Sequence, residues 1–154
     1  MSYYEALKTV HVLFAVIWVG GAVALQLMAW RILAAEDYDR VAKFGKDAEF
    51  IGMRVFLPSS VIVLLLGILM VVEEPAWGFG DAWIVIGLVM IFASALTGAL
   101  YLGPEGGRLA DIVTARGPED PEYKSRLARL LTISRIEMVA LLVIVANMVI
   151  KPGA

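Results

Sequence analysis

The chain contains one histidine, His11, inside a long apolar run. An imidazole there can be a metal or haem ligand, a proton-transfer group or a hydrogen-bonding partner. Met70 and Met148 end two other apolar runs on the same predicted side, and a His/Met set suits haem b or copper(I). One histidine and no cysteine exclude bis-histidine haem within one chain and a three-histidine zinc site. The alternative for His11 is a neutral imidazole that hydrogen-bonds a neighbouring helix. The alternative for the two methionines is that they only fill gaps in the apolar packing.

A second candidate is a cation site made of carboxylates. Glu73, Glu74 and Asp81 surround a short loop beside the predicted position of His11. Oxygen ligands of this kind could collect a cation at the mouth above the histidine. The alternative is a solvated acidic loop.

A third candidate is a polar pair inside the opposite half of the apolar runs. Glu137 lies about 10 Å along its run at 1.5 Å per residue, and a lone carboxylate at that depth is costly. Arg54, Arg135 and Gln26 are its predicted partners. Arg54 is preferred, because residues two apart on a helix diverge. The pair is predicted to lock two helices, and the alternative is a proton relay or a cation site.

The elements that position these residues are membrane-spanning helices. Of 154 residues, 60% are hydrophobic and 18% are charged, and the mean hydropathy is +0.81, which excludes a soluble globular enzyme and a disordered chain. The net charge of −2 does not favour nucleic-acid binding. We predict an all-α, four-transmembrane-helix bundle forming a single domain over 1–154. Its spans are 10–30, 55–72, 82–102 and 130–150.

Basic residues predict the orientation. Eleven of the 13 Lys and Arg lie in the first and third loops or at their edges, whereas the second loop, 73–81, has none. The positive-inside rule therefore places both termini and the second loop outside, and the other two loops in the cytoplasm. The predicted location is the bacterial inner membrane.

The connecting segments carry helix signals of their own. Residues 34–52 have acid–base pairs at i,i+4 spacing and predict a short amphipathic helix, continuous with the first or the second span. Glycines and a proline at 103–107 predict a break, followed by a short helix that ends at Gly117. Asp120 and Pro121 predict the start of the last helix.

Several stretches carry a family resemblance: HVLFAVIWVGG at 11–21, RVFLP at 54–58, WGFGD at 77–81, LGPE at 102–105 and KP at 151–152. Over nearly its whole length the chain resembles the bacterial integral membrane family called domain of unknown function 2269. The resemblance implies a four-helix membrane protein and brings no established activity. The opening stretch is more distantly similar to copper-resistance protein D and to a four-helix membrane protoporphyrinogen oxidase. That similarity implies a haem or metal role for His11 alone, since spans two and three lack the oxidase's lysine.

These observations leave three functional hypotheses. The first is a small redox or cofactor-handling membrane protein with His11 as an axial haem or metal ligand. The second is a copper or cation handling protein that uses the acidic loop and the two methionines. The third is a non-catalytic accessory subunit of a larger membrane complex. A homodimer that shares one histidine from each chain is a further arrangement for a two-ligand site.

Overall fold

Four long helices make up the protein in a computed structural model that describes residues 2–153. Helix α1 is Tyr3–Ala34, α2 is Tyr38–Glu73, α3 is Ala82–Arg116 and α4 is Pro121–Ile150. Each helix is long and apolar enough to cross a membrane, and each contains one predicted span. The prediction of an all-α fold with four membrane helices is confirmed.

Local sequence explains where these helices begin and end. Ser2 and Glu5 form a capping box at α1, and the Asp37 carboxylate accepts a hydrogen bond from the Arg40 N–H at the start of α2. As predicted, α4 begins at Pro121, where the Asp120 carboxylate accepts from two backbone N–H groups. Gly117 ends α3 with a φ of 82°, which suits a residue without a Cβ.

Both middle helices contain one wide π-turn, at Gly52–Phe56 in α2 and at Gly98–Leu102 in α3. In each case a glycine opens the turn and a proline follows six residues after that glycine, as Pro58 and Pro104. The repeated spacing places the two turns at corresponding positions, and Gly52 lies against Gly103. The amphipathic helix predicted at 34–52 is observed as Tyr38–Ile51 and runs into the second span through its π-turn.

The helix break predicted at 103–107 is wrong, because α3 continues as Gly103–Arg116. A proline ring normally collides with the carbonyl one turn earlier, and the wide turn before Pro104 shifts those carbonyls. The glycines also allow a close approach between α2 and α3. A Cβ placed on Gly45 would lie 2.7 Å from the Gly106 carbonyl oxygen. We call Gly45 and Gly106 the glycine contact.

The buried side chains form three clusters along the bundle. One lies near the 74–81 loop around Trp83, one lies in the middle around Trp18, and one lies near the 117–120 turn around Tyr123. We call the end of the bundle that carries the 74–81 loop the acidic end, and the end that carries the 117–120 turn the basic end. Many large apolar side chains point outward instead, including Leu100 at 75% and Val149 at 77% exposure, as expected for surfaces that face lipid.

At the acidic end, the segment after α4 is attached to the 74–81 loop. The Lys151 ammonium lies 4.1 Å from the ring centroid of Trp77 and 5.2 Å from that of Trp83. The two indoles are themselves in edge-to-face contact. This cation–π arrangement, together with the bond from Asn147 Nδ2 to the Trp83 carbonyl at 2.7 Å, holds α4 against α3.

Candidate functional site

A cavity of about 210 Å³ lies between the four helices and extends toward the basic end. Along α4 its lining runs from Tyr123 to Leu141, a length of about 27 Å at 1.5 Å per residue. Most of the lining is alanine, glycine and aliphatic side chains. Both π-turns contribute to the wall, so the same local widening that accommodates the prolines also shapes this space.

A few polar groups interrupt the apolar wall. Glu137 is half-buried and lies beside the Ser94 hydroxyl of α3. Gln26 of α1 and Ser60 of α2 also line the cavity. At the basic end, the Tyr123 hydroxyl is buried without a hydrogen-bond partner. The cavity therefore has a mainly apolar wall with a few polar groups at separate positions, which is the usual composition of a small-molecule site.

The predicted polar pair is arranged differently from the expectation. Arg54 and Arg135 are exposed, whereas Glu137 and Gln26 line the cavity. Within residues 2–153, no ion pair joins Glu137 to either arginine. The structure thus brings two of the four residues to one cavity and leaves the carboxylate beside a hydroxyl.

His11 packs against α2 near the acidic end. A Cβ placed on Gly67 would lie 3.4 Å from His11 Cε1, and the Val63 carbonyl lies near the ring. Nδ1 is buried and has no hydrogen-bond partner. A Cβ at this distance would be in ordinary van der Waals contact, so the imidazole lies directly against α2 at Gly67.

The two candidate methionines lie on different helices. Met70 is one turn beyond Gly67 on α2, so it shares the helix face that His11 contacts. Met148 packs instead against Gly87 of α3, in the cluster around Trp83.

The acidic loop ties its carboxylates to local backbone. Asp81 Oδ2 accepts a hydrogen bond from the Gly78 N–H at 2.9 Å, and Glu74 Oε1 accepts one from the Ala76 N–H at 3.5 Å. Glu73 is exposed at the end of α2. In the described part of the chain, no three His, Asp or Glu side chains are grouped closely enough to hold a metal ion.

A further charged group near the basic end was not singled out by the sequence. Glu105 is only 2% exposed, and its Oε1 accepts a hydrogen bond from Arg126 Nη1 at 2.8 Å. Arg126 also contacts Glu122, which in turn contacts Arg116. This network joins α3 to α4. The only local signal was an acidic residue among glycines, which is more typical of a loop.

Comparisons with known proteins agree with the membrane architecture. Neither curated proteins nor solved structures give a match. A family model described as a predicted integral membrane protein, DUF2269, matches residues 5–152. Since that match covers nearly the whole chain, the protein is a multi-pass integral membrane protein that belongs to the DUF2269 family.

Proposed function

We propose that this protein binds a small apolar ligand in the cavity between its four helices. The observation that carries the proposal is a mainly apolar cavity that holds Glu137, Gln26 and the unpartnered Tyr123 hydroxyl at separate points. Polar groups left in an apolar site orient a ligand that satisfies them. The chemistry is binding or handling of the ligand, with no reaction assigned to the lining residues.

Filling the cavity is expected to weaken binding and to stabilise the protein. Ala95 lines the cavity on α3, whereas Ala93 on the same helix is exposed. Ala95→Leu should lower the affinity for tert-butylbenzene by roughly tenfold, equal to about 1.4 kcal/mol. It should also raise the free energy of unfolding by about 0.5–2 kcal/mol, as cavity-filling changes do. Calorimetric titration of the protein in lipid nanodiscs, corrected with empty discs, measures the affinity.

The matched control is Ala93→Leu, which should leave the affinity unchanged. Ala99→Leu is a second filling variant on the same wall. If both filling variants bind the probe as tightly as the unaltered protein, the cavity is not the binding site. A variant that loses binding and stability together reports damage to the fold instead.

A second candidate function, a cofactor or metal site at His11, rests on one observation, the buried and unpartnered Nδ1. Met70 shares the contacted face of α2, so a nitrogen and a thioether could serve a soft cation such as copper(I). A haem fits less well, because the imidazole ring of His11 lies against Gly67 and His11 does not line the cavity. A bound copper(I) would supply one-electron chemistry.

Loss of His11 is expected to remove the bound metal while the fold persists. His11→Ala should abolish copper(I) retention measured by metal analysis after purification, and Met70→Leu should weaken it. Met53→Leu, in the π-turn of α2 away from His11, is the control. Copper retained by His11→Ala would contradict the assignment. A Soret band in the unaltered protein that His11→Ala removes would identify haem as the ligand instead.

We also propose that the acidic end faces outward across a bacterial inner membrane. The support is the charge distribution, with nearly all Lys and Arg at the basic end. The chain has no cysteine, so single introduced cysteines at Gly80 and Glu119 can be labelled with an impermeant maleimide in intact cells. Labelling at 119 but not at 80 would show that the protein has the opposite orientation in the membrane.

A further inference from the structure

Glu137 stands without a compensating positive charge in the cavity. Among the described residues that line this space it is the one carboxylate, and no lysine, arginine or histidine joins it. Its neighbour is the Ser94 hydroxyl, and no ion pair includes it in the 2–153 part of the chain. A carboxyl group in apolar surroundings is tolerated either when it is protonated and neutral or when a cation balances its charge.

The wall around Glu137 favours an organic cation over a metal ion. Divalent metal ions need several oxygen ligands, whereas this cavity offers one carboxylate on a mainly apolar wall. Four aromatic side chains also line the cavity, and two of them, Trp18 and Phe56, pack in the middle cluster with Leu141, one turn from Glu137 on α4. Aromatic faces attract ammonium groups, most strongly where water is excluded. An amine or quaternary ammonium that carries an apolar group would satisfy both features.

We propose that the natural ligand of this cavity is a lipophilic organic cation with a single positive charge, and that Glu137 is its counter-ion. This inference rests on the proposed ligand-binding function and goes further by assigning the charge of the ligand. The carboxylate balances the charge, the Trp18 and Phe56 rings are placed to contact the cationic head or its aryl group, and the small residues of the wall accommodate the apolar body.

Two probes of nearly the same shape separate charge from apolar contact. Phenyltrimethylammonium carries a positive charge, and tert-butylbenzene replaces its nitrogen with carbon. Both are titrated against the protein in nanodiscs of neutral lipid, with empty discs subtracted. We expect the unaltered protein to prefer the cation after correction for partitioning. Glu137→Gln should lower the affinity for the cation by roughly 10- to 100-fold, because the Coulomb attraction between the carboxylate and the quaternary ammonium is lost, and leave tert-butylbenzene binding unchanged.

Two control variants keep the result interpretable. Glu137→Asp retains the charge and should keep the preference for the cation. Glu119→Gln removes a carboxylate whose side chain is 83% exposed at the basic end, and should change neither affinity. Unfolding midpoints of all variants show whether each one is folded.

The outcomes distinguish this inference from the proposed function. If both probes bind equally, or if Glu137→Gln keeps the preference for the cation, the ligand charge is wrongly assigned while the cavity stands. If neither probe binds, or if Ala95→Leu and Ala99→Leu both leave tert-butylbenzene binding unchanged, the ligand-binding function itself is overturned, and this inference with it.

Discussion

Replacing Arg126 by alanine is expected to destabilise the protein, because the buried Glu105 carboxylate loses its closest partner, and leaving such a group unsatisfied costs about 1–3 kcal/mol. Glu105 is 2% exposed and depends on Arg126 for its shortest charged contact, at 2.8 Å. Arg108 lies farther away, at 3.6 Å, so it compensates only partly. The loss is measured as the change in unfolding free energy in mixed micelles titrated with SDS.

Arg129→Ala is the matched control, because Arg129 is an exposed residue on the same helix. It should change the free energy of unfolding by less than about 0.5 kcal/mol, as surface substitutions do. Adding Glu105→Gln to Arg126→Ala should recover part of the loss, since the buried charge is then gone. Equal losses for Arg126→Ala and Arg129→Ala would show that the buried position of Glu105 does not govern stability.

Hydropathy and local caps were sufficient to predict the helices. A membrane span leaves a direct record in the sequence, because about 20 consecutive apolar residues are required. The start of α4 was equally local, since Asp120 and Pro121 stand next to each other. Features that depend on a few neighbouring residues can therefore be read without knowledge of the fold.

The continuation of α3 through 103–107 could not be predicted in the same way. Glycine and proline are ordinarily strong breakers, and their effect here depends on the preceding π-turn and on α2 lying alongside. The pairing of Glu105 with Arg126 joins residues that are 21 positions apart on different helices. No periodicity in the sequence indicates such a contact.

The cavity was missed for a related reason. Gln26 was one of the predicted partners of Glu137, but the depth of the carboxylate in its span favoured an arginine, Arg54, over the amide. The cavity that Gln26 and Glu137 share arises from how all four helices pack, including the two widened turns. A void is a property of the packing, whereas a sequence specifies only the side chains that could line it.

The glycine contact connects this packing to the cavity. Gly45 and Gly106 both line the cavity near the basic end, where the backbones of α2 and α3 lie close together. Any side chain at Gly45 must separate the two helices. The expected consequence is therefore loss of stability together with a change in the cavity wall.

Gly45→Ala is expected to lower the free energy of unfolding by about 1–3 kcal/mol, the usual cost of overpacking. Its Cβ would lie 2.7 Å from the Gly106 carbonyl oxygen, and 3.2 Å from the Ala110 Cβ. A backbone carbonyl within a helix cannot rotate aside as a flexible side chain can, so the helices must shift. SDS-titrated unfolding in micelles measures the loss, and tert-butylbenzene titration in nanodiscs reports the altered cavity.

Gly20→Ala supplies the opposite case in the same fold. Gly20 lies within α1, and a Cβ at this position meets nothing within 4 Å. Removing a glycine from a helix interior should stabilise it by up to about 1 kcal/mol. A loss at Gly20 equal to that at Gly45 would mean that general helix effects, rather than close approach of α2 and α3, determine the cost. A loss confined to Gly45 would establish that the backbone contact itself holds the basic end together.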